Sequence, residues 1–170
     1  AIVLVAYGAG SALFAIVVVS RVSGYTPPSI VAPLAYLAVE GLVVLSLSLL
    51  LSTRLPPIGA GAIAVVVYGL SWAAGAIERV GIAITASNPS VNLEIVGTVG
   101  RVILPTDGLW RGVIYGLEPG VVIAAASQQP LAEANPFYAA TPPTLGFLVW
   151  TAVWIVLVMA LAAVSLRRRE

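Results

Sequence analysis

The sequence predicts an all-α integral membrane protein, with about four transmembrane helices and short amphipathic or re-entrant helices before the last of them. Three observations lead there. Hydrophobic side chains make up 60% of the 170 residues and charged ones 9%, with a mean hydropathy of +1.06; soluble domains are roughly 45–50% apolar and about 25% charged. The apolar residues gather into four runs, each long enough to cross the ~30 Å of hydrocarbon that takes roughly 20 helical residues. Within each run they are continuous, whereas strands of a membrane barrel alternate apolar and polar residues over about ten positions.

The first span is expected over residues 1–22. It is uncharged up to Arg21 and closes in the turn Ser23-Gly24-Tyr25-Thr26-Pro27-Pro28. The second covers 29–53 and holds a single charge, Glu40. A tight reversal, Ser52-Thr53-Arg54-Leu55-Pro56-Pro57, leads into the third, over 56–77; proline suits the first turn of a helix, where its missing N–H costs nothing. Glu78 and Arg79 are expected to stop that span. The fourth covers 143–166, just before Arg167-Arg168-Arg169-Glu170. Nothing charged precedes the first run, so it does not read as a secretory signal, and starting on Ala1 it reads as the continuation of a longer chain.

Between the third and fourth spans lie some sixty residues, 78–142, holding most of the acidic residues and much of the proline. Residues 86–90 read as loop. Residues 91–117 read as one or two short amphipathic helices broken at Pro105, with Leu93, Val96, Val99, Val102 and Ile103, then Leu109, Val113 and Leu117, near helical spacing. Thr106 or Asp107 is the expected N-cap of the second. Gly97, Gly100, Pro105 and Gly108 are expected to interrupt helix there. Irregular backbone at membrane depth is tolerated where protein or a wet cavity covers it. The run 120–126 is apolar but too short to span.

Composition excludes several functions. Without cysteine there is no disulfide, thiol nucleophile or thiolate metal site. Without histidine the commonest general base and metal ligand is missing. Every cation is arginine, the net charge is +1, and the arginines sit mostly at span ends, which argues against nucleic acid as a partner. No nucleotide-binding loop or nucleophile elbow occurs. Neither a catalytic residue, a cofactor site nor a metal site is therefore expected.

Glu40 is the only ionisable group expected in mid-span, where a charge costs about 2.5–3.5 kcal/mol on insertion scales. It reads either as a transport or coupling residue or as a protonated carboxyl bonded between helices. Small residues (Gly8, Gly10 and Ala12; Gly59, Gly61, Gly69, Ala73 and Gly75) read as helix-packing positions. Trp72, Trp110, Trp150 and Trp154, with Tyr25, Tyr68, Tyr115 and Tyr138, read as interfacial aromatics. In the long loop Arg101, Asp107, Arg111 and Glu118 are expected to pair with one another, partly through i,i+4 spacing; such pairs either hold the loop together or touch a substrate. With four spans, Arg54 and the Arg167–Arg169 tail share a side, and arginine bias places that side in the cytoplasm and the long loop outside.

The stretch from Ile95 to Arg111 (IVGTVGRVILPTDGLWR), continuing through Tyr115-Gly116-Leu117-Glu118-Pro119, resembles ABC transporter permeases of the type-2, exporter, family. The end of the second span, Leu50 to Pro56, and the tail Ser165 to Glu170 support the resemblance, which covers nearly the whole chain. Such permeases usually carry six spans, so this chain looks like the last four. The family's first two spans and the cytoplasmic segment that docks on the ATPase have no counterpart in it, and no docking residue can be named. The resemblance implies a permease in the cell membrane, paired with a second permease copy and with a separate ABC ATP-binding subunit. It also implies helices before the last span that re-enter the outer leaflet. Arg101, Pro105, Asp107, Trp110, Arg111 and Glu118 are then candidate outer-gate residues. A non-transporting four-span scaffold or assembly factor is the other reading of the same spans, and an intramembrane enzyme is disfavoured with only Glu40 at depth.

Overall fold

The computed structural model describes residues 2–85, 94–129, 132, 135 and 137–168; the expected loop at 86–90, Leu93 and the last two residues of the tail lie outside them. The described residues form α1 (Ile2–Ser23), α2 (Val31–Ser52), α3 (Pro57–Thr85), α4 (Glu94–Ile103), α5 (Thr106–Leu117), α6 (Gly120–Ala126) and α7 (Leu145–Arg167). Four of these, α1, α2, α3 and α7, are long and apolar enough to cross a membrane. The chain is a multi-pass membrane protein.

Its exterior is apolar along the length of the spans, as a hydrocarbon solvent requires: Val65, Val66 and Leu70 on α3 and Val156 and Leu161 on α7 are exposed. The interior is small. Val43 of α2, Leu104 and Leu109 form its centre, with Tyr36, Val67, Phe147 and Trp154 around them. α2 is the central helix, touching α1, α3, α5 and α7, whereas α1 packs chiefly on α2. At one end of the bundle the Thr53 and Ser165 hydroxyls lie 3.0 Å apart, and Arg54 Nε donates to Ser165 at 3.4 Å. The ends of α2 and α7 that carry Arg54 and Arg167 therefore lie side by side.

The third helix does not stop at Glu78-Arg79. It runs on to Thr85, 29 residues in all, because both charges meet partners on segments that return to it. Nor do Gly97 and Gly100 interrupt helix: α4 continues through them, and they serve as contact surface. A Cβ on Gly97 would run into the Glu78 side chain, and one on Gly100 would lie 2.9 Å from the Ala74 methyl. The expected N-cap is also displaced. Pro105 occupies that position for α5, without a side-chain cap, and Thr106 and Asp107 are the first helical residues. Their side chains are spent on α3 instead. The small residues Gly8, Gly10, Gly59, Gly61 and Gly69 meet no neighbour that a Cβ would touch; close approach is made at Gly75 and along α4 and α5.

Candidate functional site

The site grows from one face of α3. Ser71, Ala74, Gly75 and Glu78 recur at helical spacing, with Arg79 one step further round. α4 lies against this face and runs antiparallel to it: Gly97 sits at Glu78, Gly100 at Ala74, and Leu104 at Ser71. The chain then turns at Pro105. Asp107 comes back beside Gly75 and Arg79, and α5 leaves along α2, with Gly112 against Tyr36 and Gly116 against Pro33. Ser29 N–H donates to the Gly116 carbonyl at 3.2 Å, fixing the exit to the start of α2.

Depth follows from helix geometry. At ~1.5 Å per residue, Ser71 lies about 21 Å along α3 from Pro57, and about 15 Å short of Gly81. Pro57–Gly81 is the span-length part of that helix. The turn at Pro105 thus lies level with roughly the middle of that apolar length, at the tip of a helical hairpin made by α4 and α5. After Glu118-Pro119 the axis swings by 114° into α6.

A broken helix at that depth exposes carbonyls that no water can satisfy, and each must find a protein donor. Two long helices supply them. Ser71 Oγ on α3 donates to the Leu104 carbonyl at 3.0 Å, and Trp154 Nε1 on α7 donates to the Ile103 carbonyl at 2.8 Å. Thr106 Oγ1 donates to Ser71 Oγ, also at 3.0 Å. Trp154 is therefore a donor to the hairpin tip and not an interfacial aromatic.

Above the tip lies an ion network. Arg79 Nη1 meets Asp107 Oδ1 at 3.1 Å, with side-chain exposures of 0% and 1%. Arg101, on the open side of α4, pairs with the buried Glu78. The loop charges thus pair with α3 and not with one another: Asp107 takes Arg79, not Arg111, and Arg101 takes Glu78. Four polar atoms of these residues, Glu78 Oε2, Arg79 Nε and Nη2, and Asp107 Oδ2, are sealed without a hydrogen-bonding partner. Arg111, one turn beyond Asp107, stands beside the network with its Nε likewise sealed and unpartnered.

Glu40 is buried in α2 at 6% exposure and lies beside Tyr68 of α3. Its Oε1 has no partner, and the carboxyl borders a shallow cleft with Gly41, Val44, Leu45, Ser48 and Tyr68. Glu78, Arg79 and Asp107 are at least as buried as Glu40, although Glu78 and Arg79 lie near the end of the span-length part of α3 and not in its middle. Read as a stop in the sequence, Glu78 and Arg79 instead meet partners that return to α3. The signal was present: Glu78 and Arg79 continue the face of Ser71 and Gly75.

The remaining candidate residues lie around the hairpin. Trp110 packs edge-on against Phe137, with ring centroids 6.4 Å apart. Glu118 lies where α5 ends, its Oε2 accepting the Ala139 N–H at 3.2 Å. Burial raises its carboxyl above the ordinary value, against the lowering effect of that bond. The same environment, with Glu118 nearby, raises the Tyr25 hydroxyl. Among the described residues no group of three His, Cys, Asp or Glu side chains could hold a metal ion.

Comparison of the chain with protein-family models, with characterised proteins and with solved structures gave no match.

Proposed function

We propose that this chain is the membrane-spanning permease part of an ATP-driven exporter of the ABC type-2 kind, forming a translocation path by alternating access while a separate subunit hydrolyses ATP. The observation that carries the reading is the helical hairpin, a pair of helices with its tip level with mid-span, held by charge between the third span and the last. A scaffold needs spans and contact surfaces; it has no need of a helix broken level with mid-span and two ion pairs clamping its limbs to α3. The motif from Ile95 to Arg111, on which the resemblance rests, is the hairpin itself.

The reading extends to partners and placement. A second permease copy and an ATP-binding subunit complete the machine in the cell membrane. The end bearing Arg54 and the C-terminal arginines is cytoplasmic, as arginine bias favours, and the proximity of Arg54 to Ser165 supports a common side for the two.

Copurification tests it. The full-length protein, expressed with its neighbouring genes, is expected to bring down an ATP-binding subunit whose hydrolysis rate changes on association. Failure to associate with any such subunit overturns the proposal. In the assembled complex, Glu40→Gln with unaltered hydrolysis and transport would remove Glu40 from the mechanism while leaving the assignment intact.

A further inference from the structure

The ion network contains three arginines and two carboxylates. Arg79 takes Asp107 and Arg101 takes Glu78. Glu40 is not the missing anion: among the described residues it makes no ion pair with any of the three arginines. Arg111 feels Asp107 and Glu78, both already paired, and among the described residues has no carboxylate of its own within ion-pair distance. A guanidinium does not deprotonate in proteins, and a charge drawn out of water without a partner is costly. Its Nε is sealed, while the rest of the side chain borders a cleft of about 360 Å³.

That cleft lies between α5 and the start of α7 and is lined by Arg101, Gly108, Arg111, Thr141, Thr144 and Phe147, among others. Its chemistry suits an anion. Two arginines line it, Arg101 with one nitrogen already on Glu78, and a guanidinium fork matches phosphate oxygens two at a time. The first turn of α7 opens on it, with Thr144 as N-cap accepting the Phe147 N–H, and the positive end of a helix dipole favours negative charge. The cleft also sits at the end of a span, where headgroups lie, and Leu145 and Val149 of α7 expose an apolar track beside it.

We propose that this cleft binds the phosphate of a net-anionic phospholipid headgroup, with Arg111 as its principal ligand and Arg101 and Thr141 beside it, the acyl chains lying along α7. The site does not depend on the transport reading. A protein with this hairpin would need the same counter-ion whether or not it exports anything.

The test uses the full-length protein, stripped of lipid in detergent, with thermal unfolding read from its four tryptophans. Short-chain phosphatidylglycerol is expected to raise Tm saturably, as a ligand of the folded state must. Short-chain phosphatidylcholine and inorganic phosphate are expected to leave Tm unchanged. Arg111→Gln should weaken the apparent affinity at least roughly tenfold, the scale of a lost charge-assisted pair, and Arg111→Lys should restore part of it. Thr141→Glu, a change at an exposed position that leaves the interior alone, should abolish the shift by placing a carboxylate in the cleft. Equal shifts from the two lipids overturn the proposal. So does a full shift from inorganic phosphate, which would assign the cleft to a water-borne anion, or wild-type affinity in both Arg111→Gln and Thr141→Glu.

Discussion

Arg79 and Asp107, 28 residues apart in the chain, meet at 3.1 Å with both side chains closed to solvent. One belongs to a helix long enough to cross the membrane and the other to the returning limb of the hairpin. Removing either partner strands the other charge, which typically costs about 3–5 kcal/mol, whereas replacing both with apolar residues of similar volume is often neutral or better. Arg79→Gln and Asp107→Asn are each expected to lower thermal stability sharply, and Arg79→Met with Asp107→Leu to recover most of the loss. A double variant as unstable as the sum of the singles would show that the pair does not act as a unit.

The glycines give a paired comparison. A methyl on Gly75 would overlap the Asp107 carboxyl, while one on Gly69, on the same helix, meets nothing within 4 Å. Gly69→Ala should be neutral or stabilising by up to about 1 kcal/mol, the usual gain in a helix interior. Gly75→Ala should cost about 1–3 kcal/mol by overpacking and should also weaken the effect of Asp107→Asn. Denaturant titration of the two variants checks both.

The hairpin tip should be sensitive to its donors. Trp154→Phe leaves the Ile103 carbonyl without its side-chain donor, a loss of about 1–3 kcal/mol, while Ser71→Ala should cost less, because the Leu104 carbonyl keeps the Thr106 N–H. The readout that separates them from general destabilisation is amide hydrogen exchange. Amides of residues 100–106 are expected to lose protection well before those of α2.

Glu118 sets an expected pH dependence. Burial raises its folded-state value above 4.5, so the folded protein holds this proton to higher pH than the unfolded chain. Its contribution is therefore complete in acid and is lost as pH rises from the ordinary carboxylate range through the raised value. Unfolding measured across that window should show stability falling with pH in the wild type, and Glu118→Gln should flatten this part of the profile. A rise in stability over the same window would reverse the sign argued here.

The four spans and the short helices before the last were legible because continuous apolar runs carry their own length, and length against bilayer thickness decides the class. The partners of the charges were not. Asp107 and Arg111 sit at i,i+4 spacing, and local spacing pairs them; Arg79 competes from 28 residues away and wins because the hairpin carries Asp107 to the Gly75 notch. Glu78 and Arg79 looked like the end of a helix for the same reason, though α3 runs on to Thr85. A charge at a water interface and a charge neutralised by a returning segment are identical in one dimension. Gly97 and Gly100 misled in the opposite direction, since glycine weakens an isolated helix yet is favoured where helices approach closely in lipid. Trp154 gave no sign of its role, because a donor to a carbonyl 51 residues away has no local pattern.

The bonds from Ser71 and Trp154 to the two carbonyls before Pro105 have a mechanical consequence. Sliding the hairpin outward by one turn would break both together, and would carry Asp107 and Arg101 past their partners in the same movement. Half-withdrawn positions would leave bare carbonyls and split charges in hydrocarbon, so none offers a resting place. The hairpin is held like a seated bolt, and displacing it means breaking these contacts together and not one by one.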